Sequence, residues 1–180
     1  MFKSFVRTAV LFSFLIFALS RCASFTEAGG VNGPRNPSRA GTSANTSTGV
    51  EAVAPQRKKV VDFAKKQLGV KYRSGGKTPK GFDCSGLSYY VMKNFDITLS
   101  PSSRYQAKEG KKIRVEEAQP GDLIFFKRSA AGPVFHVAIV VRNSREGIEV
   151  IHSTSRGVVI DNISKSSYWE PKIFSAREVL

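Results

Sequence analysis

One cysteine and two histidines are the side chains of this sequence that could perform nucleophilic catalysis together. Cys84 lies in the hexapeptide Gly-Phe-Asp-Cys-Ser-Gly, between a turn signal and the helix-like run 87–94. Unpaired backbone N–H groups and the positive end of the helix dipole gather in the first turn of a helix, and both favour thiolate over thiol. This placement indicates a nucleophile, whereas the alternative is a buried structural cysteine.

The two histidines, His136 and His152, fall at the ends of two β-like runs. His136 begins His-Val-Ala-Ile-Val-Val, and His152 ends Ile-Glu-Val-Ile-His. If these strands pair antiparallel, the start of one lies beside the end of the other. His136 would then take the thiol proton and later protonate the leaving amine, while His152 would bond its other ring nitrogen and fix the tautomer. For each histidine, the alternative is a hydrogen-bonded residue at a sheet edge.

Helical patterns that could position these groups precede strand patterns along the chain. One helix follows Pro55 and ends at Gly69, a second is capped by Asp83, and a short third begins at Ser102 or Ser103. The first has apolar residues at helical spacing, namely Val60, Val61, Ala64 and Leu68. After the Pro120-Gly121 turn, β-like runs cover 122–127, 136–142, 147–153, 157–160 and 173–178. Helices followed by a meander of short strands predict an α+β fold with an antiparallel sheet.

Residues 1–21 have the features of an export signal. Lys3 and Arg7 precede an apolar core at 9–19, which is too short to span a bilayer comfortably. The following Leu-Ser-Arg-Cys resembles a lipoprotein processing box, in which Cys22 would become the lipidated first residue. Arg21 departs from the small residue usual at that position, and cleavage after Ser20 would instead give a soluble secreted protein. Both outcomes place the protein outside the cytoplasm.

Residues 22–55 are rich in small and polar residues and predict a flexible linker, so the folded domain is expected at 56–180. The net charge of +14 could attract anionic lipid or acidic cell-wall polymers, or could serve solubility alone. The predicted export and the lack of a nucleic-acid recognition motif argue against nucleic acid as a binding partner. The only cysteines are Cys22 and Cys84, so we expect no disulfide, no metal cluster and no cofactor. Oligomeric state has no sequence signature.

An ordered set of motifs resembles the NlpC-type (NlpC/p60) bacterial cell-wall peptidases, in their lipoprotein endopeptidase branch. The set covers nearly all of 56–180 in the right order and spacing. Its members are Tyr72 with Gly75-Gly76, the Cys84 hexapeptide, Gln106, the run 119–126 that begins Gln-Pro-Gly-Asp, His136-Val-Ala-Ile, Ile151-His152 and the closing segment 169–180. The resemblance implies a papain-like α+β fold and a cysteine peptidase that acts on peptidoglycan stem peptides.

By the family pattern, Cys84 is the nucleophile, His136 the base and His152 the residue that orients it. Tyr72 matches a tyrosine near the nucleophile whose hydroxyl could stabilise the oxyanion with the Cys84 backbone N–H; its alternative is a packing aromatic. Asp83 and Ser85 are expected to cap and hold the helix start ahead of any chemistry. We also predict both as substrate-binding residues, together with Ser102 and Ser103.

One departure bears on specificity. Many relatives have Pro-Arg-Asp-Ser-x-x-Gln before the middle helix, with the Asp holding a free amino terminus, whereas residues 100–106 read Ser-Pro-Ser-Ser-Arg-Tyr-Gln. This favours an endopeptidase acting on intact or cross-linked peptidoglycan, at either the γ-D-Glu–diaminopimelate or the D-Ala–diaminopimelate bond. The alternatives are a non-catalytic envelope lipoprotein that binds stem peptides, or a related N-acetylmuramoyl-L-alanine amidase. An acyltransferase of similar fold is less favoured.

Overall fold

The computed structural model describes residues 47–180, which form three α-helices, three short 3-10 helices, a small hairpin and a six-stranded sheet. The α-helices are α1 (Ser47–Lys65), α2 (Cys84–Lys93) and α3 (Ser103–Gln106). The hairpin consists of β1 (Lys77–Thr78) and β2 (Gly81–Phe82). The sheet consists of β3 (Lys111–Ile113), β4 (Leu123–Lys127), β5 (Val134–Ser144), β6 (Gly147–Thr154), β7 (Gly157–Asn162) and β8 (Ile173–Glu178).

The predicted export signal, with Arg21 and Cys22, lies outside the described residues. So does the predicted linker up to residue 46, whereas its last residues belong to α1. None of the helices in the described part of the chain is both long and apolar enough to cross a membrane.

The sheet has the strand order β3-β8-β4-β5-β6-β7, and every pairing in it is antiparallel. Alternating side chains of the strands point to opposite faces. One face packs against α1 and α2, where Leu87 and Val91 meet Phe125 and Ile139. The other face buries Ile124, Ala138 and Val150 together with Trp169. Both faces of the central strands are therefore covered.

A buried ion pair ties α1 to the turn before β4. Arg57 Nη1 donates to Asp122 Oδ1 at 2.7 Å and lies 3.0 Å from the carbonyl oxygen of Pro120. Asp122 Oδ2 accepts from the backbone N–H of Gln119 at 2.8 Å. The Gln-Pro-Gly-Asp segment is thus a structural joint between helix and sheet.

The predicted α+β class, with helices ahead of an antiparallel sheet, is confirmed. The five predicted strands are present with ends shifted by no more than a few residues. The sequence reading missed β3, an exposed edge strand that shows no apolar alternation, and the β1–β2 hairpin, whose strands have two residues each. It also assigned Leu68 to the apolar face of the first helix, but α1 ends at Lys65 and Leu68 is 46% exposed.

Candidate active site

Cys84 is the first residue of α2, and its neighbours fix the start of that helix. Asp83 is the N-cap, as predicted: its Oδ1 accepts from the backbone N–H of Gly86 at 2.6 Å. Asp83 Oδ2 accepts from the backbone N–H of Gly75 at 2.9 Å. One carboxylate therefore joins the helix start to the preceding Gly75-Gly76 turn and holds the cysteine at a defined position.

Gly86 lets that turn approach the helix closely. A Cβ at this position would lie 1.9 Å from the carbonyl oxygen of Gly76. That same oxygen accepts from the backbone N–H of Asp83 at 3.0 Å. The glycine in the cysteine motif is therefore required by backbone packing rather than by helix preference, since glycine is a poor residue for a helix interior.

A buried amide supports the helix from the other side. Gln106 on α3 has no exposed surface, and its Nε2 donates to the carbonyl oxygens of Ser85 and Ser100 at 3.1 and 2.6 Å. Its Oε1 accepts from the Ser88 hydroxyl at 2.8 Å. Because buried polar groups need partners, these bonds lock α3 against the first turn of α2.

The two histidines meet, as the sequence reading expected. His136 Nε2 lies 3.0 Å from His152 Nδ1, and both side chains are buried. In the β5–β6 register Ile139 pairs with Ile151, and continuing it places His152 opposite Ala138, two residues from His136. The rings are thus diagonal neighbours on one face of the sheet. His136 Nδ1 is the nitrogen left to take a proton from a thiol.

The chain of contacts continues to a residue that the sequence reading missed. His152 Nε2 lies 3.0 Å from Asp161 Oδ2, and the same oxygen accepts from Arg156 Nη2. On β7, Val159 pairs with His152. Asp161 lies two residues further along the same strand, opposite Val150. The predicted strand ended at residue 160 and therefore excluded Asp161, whereas β7 extends to Asn162. The two-residue periodicity of β7 would have been the signal.

Aromatic rings enclose His136. Trp169 stacks on its imidazole at 4.6 Å between ring centroids, and Phe126 and Phe135 lie at 5.6 and 6.0 Å. Burial, together with a smaller effect of His152, lowers the pKa of His136 to about 3. Burial also lowers the pKa of His152, although Asp161 opposes that shift. Both imidazoles are therefore neutral at pH 7.

The helix start does not make Cys84 a preformed thiolate in the protein without substrate. Burial raises the pKa of the Cys84 thiol, and the nearby Asp83 charge adds to this. Backbone N–H groups of Val137, Ser85 and Cys84 oppose the shift but do not reverse it. The helix start favours the anion locally, yet removal of the sulfur from water outweighs it. The resting pair is a neutral thiol and a neutral imidazole.

Cys84 and His136 line a common cleft of about 630 Å3. Tyr72 and Trp169 line it as well, as do two arginines, Arg128 and Arg156. Tyr72 is about half exposed, and burial and the neighbouring Cys84 raise the pKa of its phenol, which stays protonated as a donor.

The four predicted substrate-binding residues are not among those that line the cleft. Asp83 is the N-cap described above, and the Ser85 hydroxyl lies 3.0 Å from the carbonyl oxygen of Pro101. Ser102 precedes α3 as its N-cap residue, and Ser103 is buried. In the described part of the chain no group of three or more His, Cys, Asp or Glu residues could hold a metal ion.

The model of the NlpC/P60 family matches residues 69–178, which is more than half of the chain. The chain belongs to the NlpC/P60 family. The predicted family is thereby confirmed, and the match spans both Cys84 and the two histidines.

Two similar proteins are longer than this chain. Gamma-DL-glutamyl hydrolase of Bacillus subtilis (strain 168) is 42% identical over 124 residues, which are 67% of this chain and 29% of that protein. Murein DD-endopeptidase MepS/Murein LD-carboxypeptidase of Escherichia coli (strain K12) is 33% identical over 126 residues, 69% of this chain and 63% of that protein. The match thus covers less than two thirds of each.

Among solved structures, the NlpC/p60 domain of the peptidoglycan hydrolase SagA superposes with a TM-score of 0.57 at 30% identity. The match covers 68% of this chain and 97% of that domain. The fold of this NlpC/P60 chain is therefore shared by a complete domain of the family, in agreement with the expected papain-like arrangement of helices and antiparallel sheet.

Proposed function

We propose that this NlpC/P60 protein is a peptidoglycan hydrolase, a cysteine endopeptidase that cleaves stem-peptide bonds of the bacterial cell wall. The observation that carries the proposal is the site itself: Cys84 at a helix start and His136 line one cleft, and His152 contacts His136 at 3.0 Å. A thiol, a base and a group that orients the base are the parts that acyl transfer requires.

The mechanism begins from neutral groups. As the Cys84 sulfur attacks the carbonyl carbon, His136 Nδ1 takes the thiol proton, so the thiolate exists only during attack. The carbonyl oxygen becomes an oxyanion, for which the Cys84 backbone N–H and the Tyr72 hydroxyl are the proposed donors. His136 then protonates the leaving amine and a thioester remains. Water, deprotonated by His136, hydrolyses the thioester and restores the thiol.

His152 stabilises the protonated form of His136 during these steps. Its Nδ1 accepts the Nε2–H of His136, which fixes the ring and partly offsets the positive charge. Trp169 covers the same ring and limits water, which increases the strength of this hydrogen bond.

An acidic peptide suits the cleft, because Arg128 and Arg156 both line it. Arg156 is already paired with Asp161, so Arg128 is the arginine that we assign to a substrate carboxylate. The guanidinium of Arg128 lies 4.7 Å from the ring centre of Phe135, beside His136. Stem peptides carry carboxylates next to both candidate bonds. Of the two relatives compared above, one is named for a γ-glutamyl bond and the other for a DD-endopeptidase, so we keep both the γ-D-Glu–diaminopimelate and the D-Ala–diaminopimelate bond as substrates. Asp83, Ser85, Ser102 and Ser103 remain proposed as more distant contributors to binding.

We also propose that the chain acts outside the cytoplasm, at the cell envelope. The predicted signal at 1–21 supports export, and the processing box supports a lipid anchor on Cys22. Residues 22–46 would then tether the domain at the membrane surface. Incorporation of radiolabelled fatty acid, with Cys22→Ala as the control, tests the anchor; absence of label would favour the secreted form.

The decisive experiment is a digest of isolated sacculi by the purified protein, with the products identified by mass spectrometry. Cys84→Ala and His136→Ala should abolish cleavage, and His152→Ala should leave measurable residual activity. Glu149→Gln is the matched control, since it removes a partly buried carboxylate that pairs with Arg142 on the same sheet. Undiminished activity in Cys84→Ala would refute the mechanism.

The product masses also separate the alternatives. Cleavage between muramic acid and L-Ala would identify an amidase instead of an endopeptidase. Retention of stem peptides without any product would identify a binding protein. Replacing Arg128 by Gln should weaken cleavage of stem peptides with free carboxylates more than of amidated ones, with Arg145→Gln as the control outside the cleft.

A further inference from the structure

The contact between the two histidines does not by itself decide which nitrogen carries each proton. A neutral imidazole has one N–H and one acceptor nitrogen, so two rings joined by Nε2 and Nδ1 can be protonated in two opposite senses. In one sense His136 donates from Nε2 and its Nδ1 has a free lone pair toward the thiol. In the other sense His136 accepts at Nε2 and is protonated at Nδ1, where it cannot act as a base.

Asp161 removes this ambiguity. Its Oδ2 lies 3.0 Å from His152 Nε2, and a carboxylate only accepts. His152 must therefore be protonated at Nε2, which leaves its Nδ1 as an acceptor for His136 Nε2–H. His136 Nδ1 is then unprotonated. His136, His152 and Asp161 lie on the adjacent strands β5, β6 and β7. Each residue is two positions away from the one directly opposite its neighbour, so the register of the sheet brings the three side chains into contact.

A carboxylate without a cationic partner would disturb the hydrogen bond between the two histidines. It would favour a positively charged His152, and a doubly protonated His152 could not accept from His136. Arg156 prevents this, because its Nη2 donates to the same Asp161 oxygen. Although partial burial raises the pKa of Asp161, hydrogen bonds from His152 and Arg156 lower it overall, so the ion pair is present at neutral pH. Arg156 also lowers the pKa of His152.

We propose that Asp161 and Arg156 form a positioning pair for the base: the Asp161 carboxylate selects the tautomers of His152 and His136, and the Arg156 guanidinium keeps both imidazoles neutral. The tautomer assignment does not depend on the proposed function; only the effect of the pair on catalysis rests on it. Other titratable groups face the same cleft from helix α2, the segment before β1, the β4–β5 loop and the segment before β8; these are Cys84, Tyr72, Arg128 and Tyr168.

The first test is nitrogen-15 NMR of the histidine side chains in the purified protein at pH 7. In the wild type both rings should be protonated at Nε2. Asp161→Ala should populate the Nδ1–H tautomer of both rings. Asp161→Asn should retain the wild-type pattern, because its amide oxygen can occupy the place of Oδ2. Unchanged tautomers in Asp161→Ala would overturn the inference.

The second test uses Arg156, whose side chain is more than half exposed and whose replacement should leave the fold intact. Arg156→Gln should raise the midpoint of the His152 titration by about 1 pH unit, since the Asp161 charge is no longer balanced. The acid limb of kcat/KM should move upward by the same amount, and Arg156→Lys should restore both. Glu149→Gln, which also removes an ion pair on β6, should change neither. A midpoint that is equal in wild type and Arg156→Gln would contradict the inference.

The two proposals can fail separately. If the wild type cleaves no peptidoglycan but the tautomers respond to Asp161→Ala, the proposed function fails and the positioning pair stands. If the wild type cleaves peptidoglycan but Asp161→Ala leaves the tautomers unchanged and Arg156→Gln leaves the His152 midpoint unchanged, the positioning pair fails and the function stands.

Discussion

Lowering the pH from 7 to 5 should destabilise the folded protein by about 2 kcal/mol through His136 alone. The pKa of this buried imidazole falls from 6.5 to about 3. The folded state therefore remains unprotonated at pH 5, while the unfolded chain binds a proton below pH 6.5. Each unit of pH below the unfolded pKa costs about 1.4 kcal/mol, and pH 5 lies about 1.5 units below it.

The direction follows from proton binding. Above pH 6.5 neither state binds the proton and His136 has no effect on stability. Between pH 6.5 and 3 only the unfolded state is protonated, so the free energy of unfolding falls as the pH falls. Below pH 3 both states are protonated and the loss is complete.

Urea unfolding at constant ionic strength measures this effect. The single tryptophan of the chain, Trp169, stacks on His136, so its fluorescence reports the unfolding of this region. The variant His136→Gln keeps an N–H near the Nε2 position but does not titrate. Its loss of stability between pH 7 and pH 5 should be smaller than that of the wild type by about 2 kcal/mol.

The comparison cancels the groups that titrate alike in both proteins. His152 is expected among them, because the Gln amide N–H can replace His136 Nε2–H as the donor to His152 Nδ1. An equal loss in the wild type and in His136→Gln would refute the assignment of His136 as a buried neutral imidazole. So would an NMR titration of His136 with a midpoint near pH 6.5. A destabilised variant remains informative, because only the pH-dependent difference is compared.

Three further predictions concern the nucleophile and the scaffold around it. Burial raises the Cys84 pKa, so the rate of its alkylation by iodoacetamide should keep increasing above about pH 8.5. Mass spectrometry of the Cys84 peptide measures this rate. A rate that is constant from pH 5 to pH 8 would indicate a preformed thiolate. Gly86→Ala places a Cβ 1.9 Å from the Gly76 carbonyl oxygen and should cost about 3 kcal/mol, seen as a lower Tm and slower alkylation of Cys84. Gly132→Ala, in the loop before β5, is its control, and equal Tm values would contradict the packing argument. Asp122→Ala leaves Arg57 buried without its partner and should cost about 3–5 kcal/mol of unfolding free energy, whereas Asp62→Ala removes an exposed pair and should have little effect.

Much of the fold could be read from local pattern. The apolar periodicity and turn residues located α2 and the five longer strands, because these signals depend on neighbours in the chain. The same patterns carried no information on β3, which is stabilised by pairing with β8 rather than by its own apolar residues. The ends of strands were less well determined, and the predicted end of β7, two residues short of Asn162, excluded Asp161.

The sequence by itself determined the nucleophile motif, the N-cap at Asp83 and the meeting of two histidines at one rim of the sheet. Those results depend on residue types and on the antiparallel pairing of consecutive strands. Only the tertiary structure decided the charge state of the site, since the helix start is a local feature whereas the burial that raises the Cys84 pKa comes from the whole domain. It also decided the link from His152 to Asp161, because a diagonal contact across strands requires the register, which no single segment contains.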